Sequence, residues 1–304
     1  MPIARRSVLE GMLAAAASSF VPLPGRAQEA TILTRPIPAS GEVIPVIGLG
    51  SWITFNVGND PVLMDECASV MAAFFTAGGR LIDCSPMYGS SQTAIGYGLA
   101  KLGMPKPLFS AEKVWTSGPD GPGQIERSRQ FWGVPRFDLV QVHNLIDWQE
   151  NLKTLMDMKS AGTLRYVGIT TSEERRHDLL EEIMRTQPID FVQLTYNVVD
   201  REPEQRLLPL AGDRGIAVIV NRPFQQGALT RRLRNESLPS WAAEIGVSTW
   251  AQFILKHIIS HPAVTVAIPA TTSVDHVREN LDAGRGVQMD AGMRARMASY
   301  VQDL

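Results

Sequence analysis

Short apolar runs alternate with longer polar or amphipathic stretches along most of the chain. Each run suits a buried strand, and each stretch that follows suits a helix. This alternation is typical of βα units in a parallel sheet. The pattern predicts an α/β fold with eight strands, which begin near Val46, Arg80, Leu108, Phe137, Leu164, Phe191, Ala217 and Val264.

Local signals predict several element boundaries. Residues 61–77 are expected to form the first helix, because two glycines follow them and stop a helix. The fifth helix is expected to use Ser172 as its N-cap and to end near residue 186. Residues 32–46 are predicted to form an N-terminal β-hairpin that turns near Ser40.

Length and composition describe one soluble domain. The chain has 304 residues, the usual size of a single eight-fold barrel. Length alone also allows two domains, but no low-complexity linker divides residues 28–304, so we predict one. The formal net charge of -2 gives the chain no excess of positive charge that would attract nucleic acid, which argues against a nucleic-acid partner. Cys67 and Cys84 are expected to be buried thiols, with a disulfide between them left open.

Residues 1–27 differ from the rest of the chain. Arg5 and Arg6 stand in the sequence ARRSVL, a weakly apolar stretch follows, and Ala27 ends a suitable cleavage site. These features predict a twin-arginine signal peptide, with the twin-arginine export machinery as a partner and the periplasm as the location. The apolar stretch is too short for a stable membrane span. The alternative, an ordinary helical N-terminus, is weakened by the prolines in this segment.

Four ionisable side chains lie at the ends of three consecutive predicted strands. Asp83 and Tyr88 follow one strand, Lys113 ends the next, and His143 ends the one after. Taken singly, each could belong to a structural ion pair, but barrel enzymes place their chemistry on this rim. A lysine lowers the pKa of a nearby tyrosine, an aspartate can hold the lysine, and a histidine can bind the oxygen that receives the proton. The set predicts proton donation by Tyr88, without a metal site.

The same residues carry a family resemblance. With the surrounding sequences LIDCSPMYG, EKV and LVQVHN, their order resembles the catalytic tetrad of the aldo-keto reductase superfamily. The similarity extends over residues 44–281 and includes GLGSW near the start and IPATTSVDHVREN near the end. It implies a (β/α)8 TIM barrel whose bottom is closed by the N-terminal β-hairpin.

The resemblance also implies a nucleotide cofactor, NADP, with NAD not excluded. Thr171 and Asn221 replace an asparagine and an aromatic residue at the nicotinamide, and Ala270 and His276 replace a lysine and an arginine at the 2′-phosphate. Arg222 replaces a serine beside the pyrophosphate, where it could bond phosphate oxygens or form a surface salt bridge instead. The cofactor-binding residues implied are Thr170, Thr171, Gln193, Asn221, Arg222, Pro223, Phe224, Gly227, Ile268, Ala270, Thr271, Thr272, Ser273, His276, Glu279 and Asn280.

The substrate side is implied only in outline. Trp52, Trp115 and Asn144 match positions that face the substrate in relatives, and residues 224–247 are expected to form a loop over the site. We interpret the chain as an exported oxidoreductase that transfers a hydride between NAD(P)H and the carbonyl of an aldehyde or ketone, in either direction. The alternatives are an enzyme whose permanently bound nucleotide cycles between two substrates, and a non-catalytic binding protein on the same barrel.

Overall fold

A short antiparallel hairpin opens the described part of the chain. The structure is a computed structural model that describes residues 31–304, so the predicted signal peptide, residues 1–27, lies outside the described residues. Strand β1 (Thr34–Pro36) pairs with strand β2 (Val43–Pro45), which confirms the predicted hairpin. Ser40 lies in the connecting turn.

Eight parallel strands follow and pair in chain order. The first and last of them also meet, because the Gly48 amide donates to the Ala267 carbonyl at 2.8 Å and the Gly50 amide donates to the Pro269 carbonyl at 3.0 Å. The sheet therefore closes into the predicted (β/α)8 TIM barrel. Its strands are β3 (Leu49–Gly50), β4 (Leu81–Asp83), β5 (Phe109–Val114), β6 (Leu139–His143), β7 (Tyr166–Thr170), β8 (Phe191–Thr195), β9 (Ala217–Asn221) and β10 (Val264–Ala267).

Helices connect the strands and cover the outside of the barrel. The first begins where the sequence predicts, since Asp60 accepts hydrogen bonds from the Val62 and Leu63 amides and caps it. None of the helices in residues 31–304 is long and apolar enough to cross a membrane. The helices are α1 (Pro61–Thr76), α2 (Ser91–Lys101), α3 (Gly121–Trp132), α4 (Trp148–Ser160), α5 (His177–Thr186), α6 (Leu207–Arg214), α7 (Ala228–Leu233), α8 (Trp250–Ile259), α9 (Val274–Asp282) and α10 (Ala291–Gln302).

The start of α5 differs from the prediction. This helix begins at His177 after a short 3₁₀ turn (Glu174–Arg176), and not directly after Ser172. The Thr171 hydroxyl accepts a hydrogen bond from the Glu173 amide at 3.1 Å, so a side-chain turn forms one residue before the expected cap. The chain then makes the 3₁₀ turn before the α-helix starts.

Aromatic side chains fill the barrel interior. The rings of Phe109, Tyr166 and Phe191 pack with their centroids between 5.5 and 6.1 Å apart. Ile37 and Ile44 of the hairpin are fully buried in the same cluster. The hairpin therefore closes the N-terminal end of the barrel, and the other end is left for the site.

The layer between strands and helices holds β5 in place. The fully buried carboxylate of Glu112 accepts hydrogen bonds from Gln92 Nε2 of α2 at 2.9 Å and from Trp132 Nε1 of α3 at 2.8 Å. Burial raises the pKa of Glu112 to about 7. Cys67 and Cys84 lie in the same layer as free thiols. Two helices are thus tied to the strand that carries the predicted lysine.

Candidate active site

A cavity of about 580 Å³ opens at the carboxyl ends of the barrel strands. Its wall contains Asp83, Tyr88 and His143, three of the four predicted catalytic residues. The fourth, Lys113, is fully buried beside Asp83. The structure therefore brings together four side chains from three strand ends, as the sequence predicts.

Asp83 and Lys113 form a buried ion pair. Lys113 Nζ donates to one carboxylate oxygen of Asp83 and, at 2.8 Å, to the Cys84 carbonyl. The other carboxylate oxygen accepts a hydrogen bond from Gln193 Nε2 at 2.8 Å. Burial acts to lower the pKa of Lys113, but the charges of Asp83, Tyr88 and Glu112, together with the hydrogen bond to Asp83, outweigh it and raise that pKa. The ammonium stays charged and fixed, because removal of either partner would leave an unpaired buried charge.

Tyr88 lies next to this pair on the cavity wall. Lys113 Nζ is 5.1 Å from the centre of the tyrosine ring. Burial raises the pKa of Tyr88 to about 12, and Lys113 opposes the rise without cancelling it. Lys113 lowers this pKa, as the sequence predicts, but the cost of desolvating the phenolate is larger, so the pKa lies above its ordinary value. Tyr88 stays protonated at neutral pH, as a proton donor requires.

His143 is neutral, and Ser85 holds its ring by a hydrogen bond. The Ser85 hydroxyl and His143 Nδ1 share a hydrogen bond of 2.7 Å, while the same oxygen accepts from the Met87 amide at 3.2 Å. In the tautomer that carries its proton on Nε2, Nδ1 accepts this hydrogen bond from Ser85. Burial and the charge of Lys113 lower the pKa of His143 to about 3. Ser85 is not among the residues predicted for the site, although it lies in the same motif as Asp83.

The opposite side of the cavity is formed by the start of α9. The Ser273 hydroxyl caps this helix by accepting a hydrogen bond from the His276 amide at 3.4 Å. Thr271 Oγ1 and His276 Nδ1 lie 3.3 Å apart, and both residues line the cavity with Glu279. Because a helix N-terminus favours anionic groups, this side suits a ligand that carries phosphate.

Most of the predicted binding residues line this cavity. Thr272 and Ser273 belong to the α9 start without reaching the wall, and Thr171 is buried with its hydroxyl used in the turn to Glu173. Besides the catalytic residues, the predicted residues on the wall are Trp52, Asn144, Thr170, Gln193, Asn221, Arg222, Pro223, Phe224, Gly227, Ile268, Ala270, Thr271, His276, Glu279 and Asn280.

Comparison with known proteins decides the family. The sequence profile described as "Aldo/keto reductase family" matches residues 46–300. The chain belongs to the aldo/keto reductase family. It is an oxidoreductase that acts on carbonyl groups with a nicotinamide nucleotide.

Proteins similar to this chain come from several organisms. The NADH-specific methylglyoxal reductase of Escherichia coli is 25% identical over 244 residues, which cover 68% of this chain and 72% of that protein. An uncharacterized oxidoreductase of Schizosaccharomyces pombe is 29% identical over 177 residues, which cover 57% of this chain and 55% of that protein. A crystal structure of an aldo/keto reductase from Klebsiella pneumoniae, in complex with NADP and acetate, shares the fold with a TM-score of 0.72. It is 22% identical and covers 86% of this chain and 93% of its own.

Trp115 of this aldo/keto reductase does not reach the cavity. Its amide donates to Gln124 Oε1 at 2.6 Å, and its carbonyl accepts from Gln124 Nε2 at 2.9 Å. These bonds hold the chain after β5 against α3, so the indole lies outside the cavity wall and is 38% exposed. The structure therefore does not bring Trp115 to the cavity wall, and its role at the substrate stays a prediction.

Arg222 follows β9 at the edge of the cavity. It has a left-handed backbone, with φ at 47°, and its Nη1 donates to the Ser172 carbonyl at 3.0 Å. Within residues 31–304 it forms no salt bridge, so the surface pair considered from the sequence is not formed. Its guanidinium keeps further donors for a ligand.

The segment over the cavity is more ordered than the predicted loop. Residues 224–247 contain α7 and a 3₁₀ turn (Ala242–Ile245). The sequence contains no motif that marks the wall residues of this segment.

Several residues of the cavity wall are not among those predicted from the sequence. The ones beside strand ends could be predicted only from their position after a strand. The unpredicted wall residues are Gly50, Ser51, Ile53, Thr54, Met87, Ser172, Gln226, Thr230, Arg234, Thr249, Trp250 and Ala251.

Proposed function

We propose that this aldo/keto reductase reduces an aldehyde or ketone to an alcohol with Tyr88 as the proton donor. The observation that carries the proposal is the position of a protonated phenol on the cavity wall, next to the Lys113 ammonium and edge-to-face with the His143 ring. When bound, NADPH would supply a hydride to the carbonyl carbon. The Tyr88 proton goes to the carbonyl oxygen as the C=O π bond breaks, so the alcohol gains one hydride and one proton.

The neighbouring groups support this proton transfer. Lys113 stabilises the negative charge that remains on the phenol oxygen, and Asp83 holds Lys113 in place. Within residues 31–304, His143 Nε2 has no hydrogen-bond partner, so it can donate to the carbonyl oxygen and orient it. The same groups serve alcohol oxidation in reverse.

We assign the nucleotide to the wall between Tyr88 and α9. The helix N-terminus at Ser273 suits a phosphate, and Thr170, Gln193 and Asn221 offer polar partners for an amide. The Klebsiella relative was crystallised with NADP, and the Escherichia coli relative is NADH-specific. NADP is our assignment, and NAD is the second candidate because Ala270 contributes no positive charge to the wall.

The reduction is tested with purified protein and aldehydes by following NADPH oxidation. Tyr88→Phe should lower kcat by about 100-fold or more while NADPH affinity stays the same, since only the transferable proton is removed. Tyr97→Phe is a matched control, because Tyr97 is exposed on α2 and bonds Asp65 away from the cavity. Full activity of Tyr88→Phe would contradict the assignment.

We further propose that the twin-arginine machinery exports the protein to the periplasm with its nucleotide already bound. The motif around Arg5 and Arg6 supports export, and that machinery carries folded proteins. Arg222 supports retention, because its guanidinium can turn from the Ser172 carbonyl to a phosphate. Nucleotide found by mass spectrometry in protein from the periplasmic fraction supports a permanently bound group. Empty periplasmic protein that binds added NADPH supports exchange instead.

Each part of the export proposal has its own variant. Replacing Arg5 and Arg6 with lysine should keep the protein in the cytoplasm. Arg222→Ala should speed loss of the nucleotide, and an unchanged loss rate would contradict the role of Arg222. Protein that binds no nucleotide at all would favour a non-catalytic barrel.

A further inference from the structure

Glu112 is a fully buried carboxylate that the proposed reaction does not use. It directly precedes Lys113 on β5, and because side chains alternate along a strand, it lies among the helices while Lys113 lies inside the barrel. Gln92 Nε2 and Trp132 Nε1 donate to its Oε2 at 2.9 and 2.8 Å, and the Lys113 amide donates to its Oε1 at 2.8 Å. Burial of a carboxylate costs free energy, so its position behind the lysine requires a reason.

One of these hydrogen bonds holds the main chain of the lysine. The ladder between β4 and β5 ends where Asp83 pairs with Ala111, so the Lys113 amide lies beyond the last residue of β4. Glu112 Oε1 accepts from that amide in place of a neighbouring strand. The lysine is therefore fixed at both ends, by Glu112 at its backbone and by Asp83 at its ammonium.

The other oxygen of Glu112 leads to the segment that carries the proton donor. Gln92 lies in the first turn of α2, next to Ser91, and both side chains are buried. Ser91 Oγ donates to the Tyr88 carbonyl at 2.8 Å, and the Ser91 amide donates to the same carbonyl at 3.2 Å. A path of buried contacts through Glu112 and the start of α2 therefore joins the Lys113 amide to Tyr88.

The path matters because proton transfer depends on where the phenol lies relative to the ammonium. Lys113 Nζ is 5.1 Å from the centre of the Tyr88 ring, and stabilisation of the charge left on the phenol oxygen weakens when this spacing changes. We propose that Glu112 is a positioning residue that sets the spacing between Lys113 and Tyr88 from the helix layer. In the part of the chain that the structure describes, the cavity wall includes neither Glu112 nor Gln92. The inference rests on the proposed reduction, in which Tyr88 donates the proton.

Two variants interrupt the path, and two controls spare it. Glu112→Gln replaces an acceptor with a donor that faces other donors, and Gln92→Met keeps the side-chain length but removes the donor. Trp132→Phe is the matched control, because Trp132 Nε1 bonds the same oxygen of Glu112 but belongs to α3, which does not carry Tyr88. Ser128→Ala controls for the second hydrogen bond of Gln92 Nε2, which reaches Ser128 Oγ at 2.7 Å.

The readouts are kcat for aldehyde reduction, the affinity for NADPH, and the ratio of kcat in ordinary water to kcat in heavy water. In Glu112→Gln and Gln92→Met, kcat should fall by about 10- to 100-fold with unchanged NADPH affinity, because a small displacement of the reacting groups slows the chemical step. The water ratio should rise in both variants, since proton transfer from Tyr88 then limits the rate more. Trp132→Phe and Ser128→Ala should keep kcat and the ratio close to wild type.

A purely structural role of Glu112 gives a different result. The variants would then lose stability in urea, while kcat of the folded protein and the water ratio stay at the wild-type values, and the proposal is wrong. The proposal is equally wrong if Trp132→Phe lowers kcat as much as Gln92→Met does. If Glu112→Gln does not fold, Gln92→Met decides between these outcomes by itself.

Tyr88→Phe separates this inference from the proposed function. If Tyr88→Phe loses activity while Gln92→Met keeps the wild-type kcat, only the positioning role of Glu112 fails. If Tyr88→Phe keeps full activity, or the wild-type protein reduces no aldehyde, the proposed reduction fails and the positioning role fails with it.

Discussion

The Ser85 hydroxyl lies 2.7 Å from Nδ1 of His143, and the Met87 amide takes one of its acceptor positions. This hydrogen bond orients the His143 ring in the cavity wall. His143 and Tyr88 therefore have different roles on the cavity wall. The neutral histidine can orient a carbonyl, and Tyr88 holds the proton to be transferred.

Ser85→Ala should reduce kcat without weakening nucleotide binding. Loss of one hydrogen bond at Nδ1 predicts a fall of about 2- to 12-fold, because the imidazole loses the contact that orients it. Nitrogen NMR of His143 would show the tautomer directly. In a double-mutant cycle with His143→Gln, the serine change should add little. A full additional loss would show that Ser85 acts elsewhere.

The reduction should be nearly independent of pH from about pH 5 to pH 9. Tyr88 must be protonated to act, and its pKa is raised to about 12, so the acid form persists through this range. His143 has a pKa lowered to about 3 and stays neutral there. The check is kcat/KM for aldehyde reduction against pH. A break near pH 6.5 that disappears in His143→Gln would mean that His143 titrates.

The two rim tryptophans should behave differently. Trp52 lines the cavity, whereas Trp115 is held against α3 by Gln124. Trp52→Ala should lower kcat/KM by about tenfold or more through lost apolar contact, and Trp115→Ala should stay close to wild type. Steady-state kinetics with one aldehyde compares them. Equal losses of kcat/KM in the two variants would show that Trp115 also contacts the substrate.

His257 should make the fold less stable in acid. It is fully buried on α8, and its Nε2 lies 3.3 Å from the Tyr196 hydroxyl, which donates its own hydrogen to Glu204. Within residues 31–304 its Nδ1 has no hydrogen-bond partner. Burial lowers its pKa to about 3, whereas the unfolded chain binds a proton near the ordinary value of 6.5. Between these values the unfolded state holds more protons. The contribution of His257 to the free energy of unfolding is therefore fully present above pH 6.5. Below pH 6.5 the free energy of unfolding decreases by about 1.4 kcal/mol per pH unit.

Urea unfolding at pH 7.5 and pH 5 measures this effect. The change in the free energy of unfolding between the two should be about 2 kcal/mol smaller in His257→Leu than in wild type. The comparison does not depend on any loss of stability that the variant shows at both pH values. An identical pH dependence would exclude His257 as a cause.

Much of the barrel is predictable because the sequence encodes it locally. Apolar runs and their polar flanks predict strand starts that differ from the observed ones by three residues at most, at β3. The cap of α1 at Asp60 and the N-terminal hairpin also form between residues that are close in sequence. The predicted start of α5 is wrong because Thr171, one residue before the expected cap, accepts the hydrogen bond of the Glu173 amide.

The site is only partly predictable because its chemistry depends on distant contacts. The motifs identify Asp83, Tyr88, Lys113 and His143, but the pKa of Tyr88 follows from a balance between burial and charge that exists only in the folded protein. Ser85 reaches His143 across 58 residues of sequence. Such pairings follow from the closed barrel and have no local signature.

The hairpin floor of the barrel has a kinetic consequence. Ile37 and Ile44 fill the N-terminal end, so within residues 31–304 the cavity is reached from the carboxyl ends of the strands and leads nowhere else. Any two ligands of this cavity therefore enter and leave through the same mouth, so a product leaves by the path that the next substrate must use.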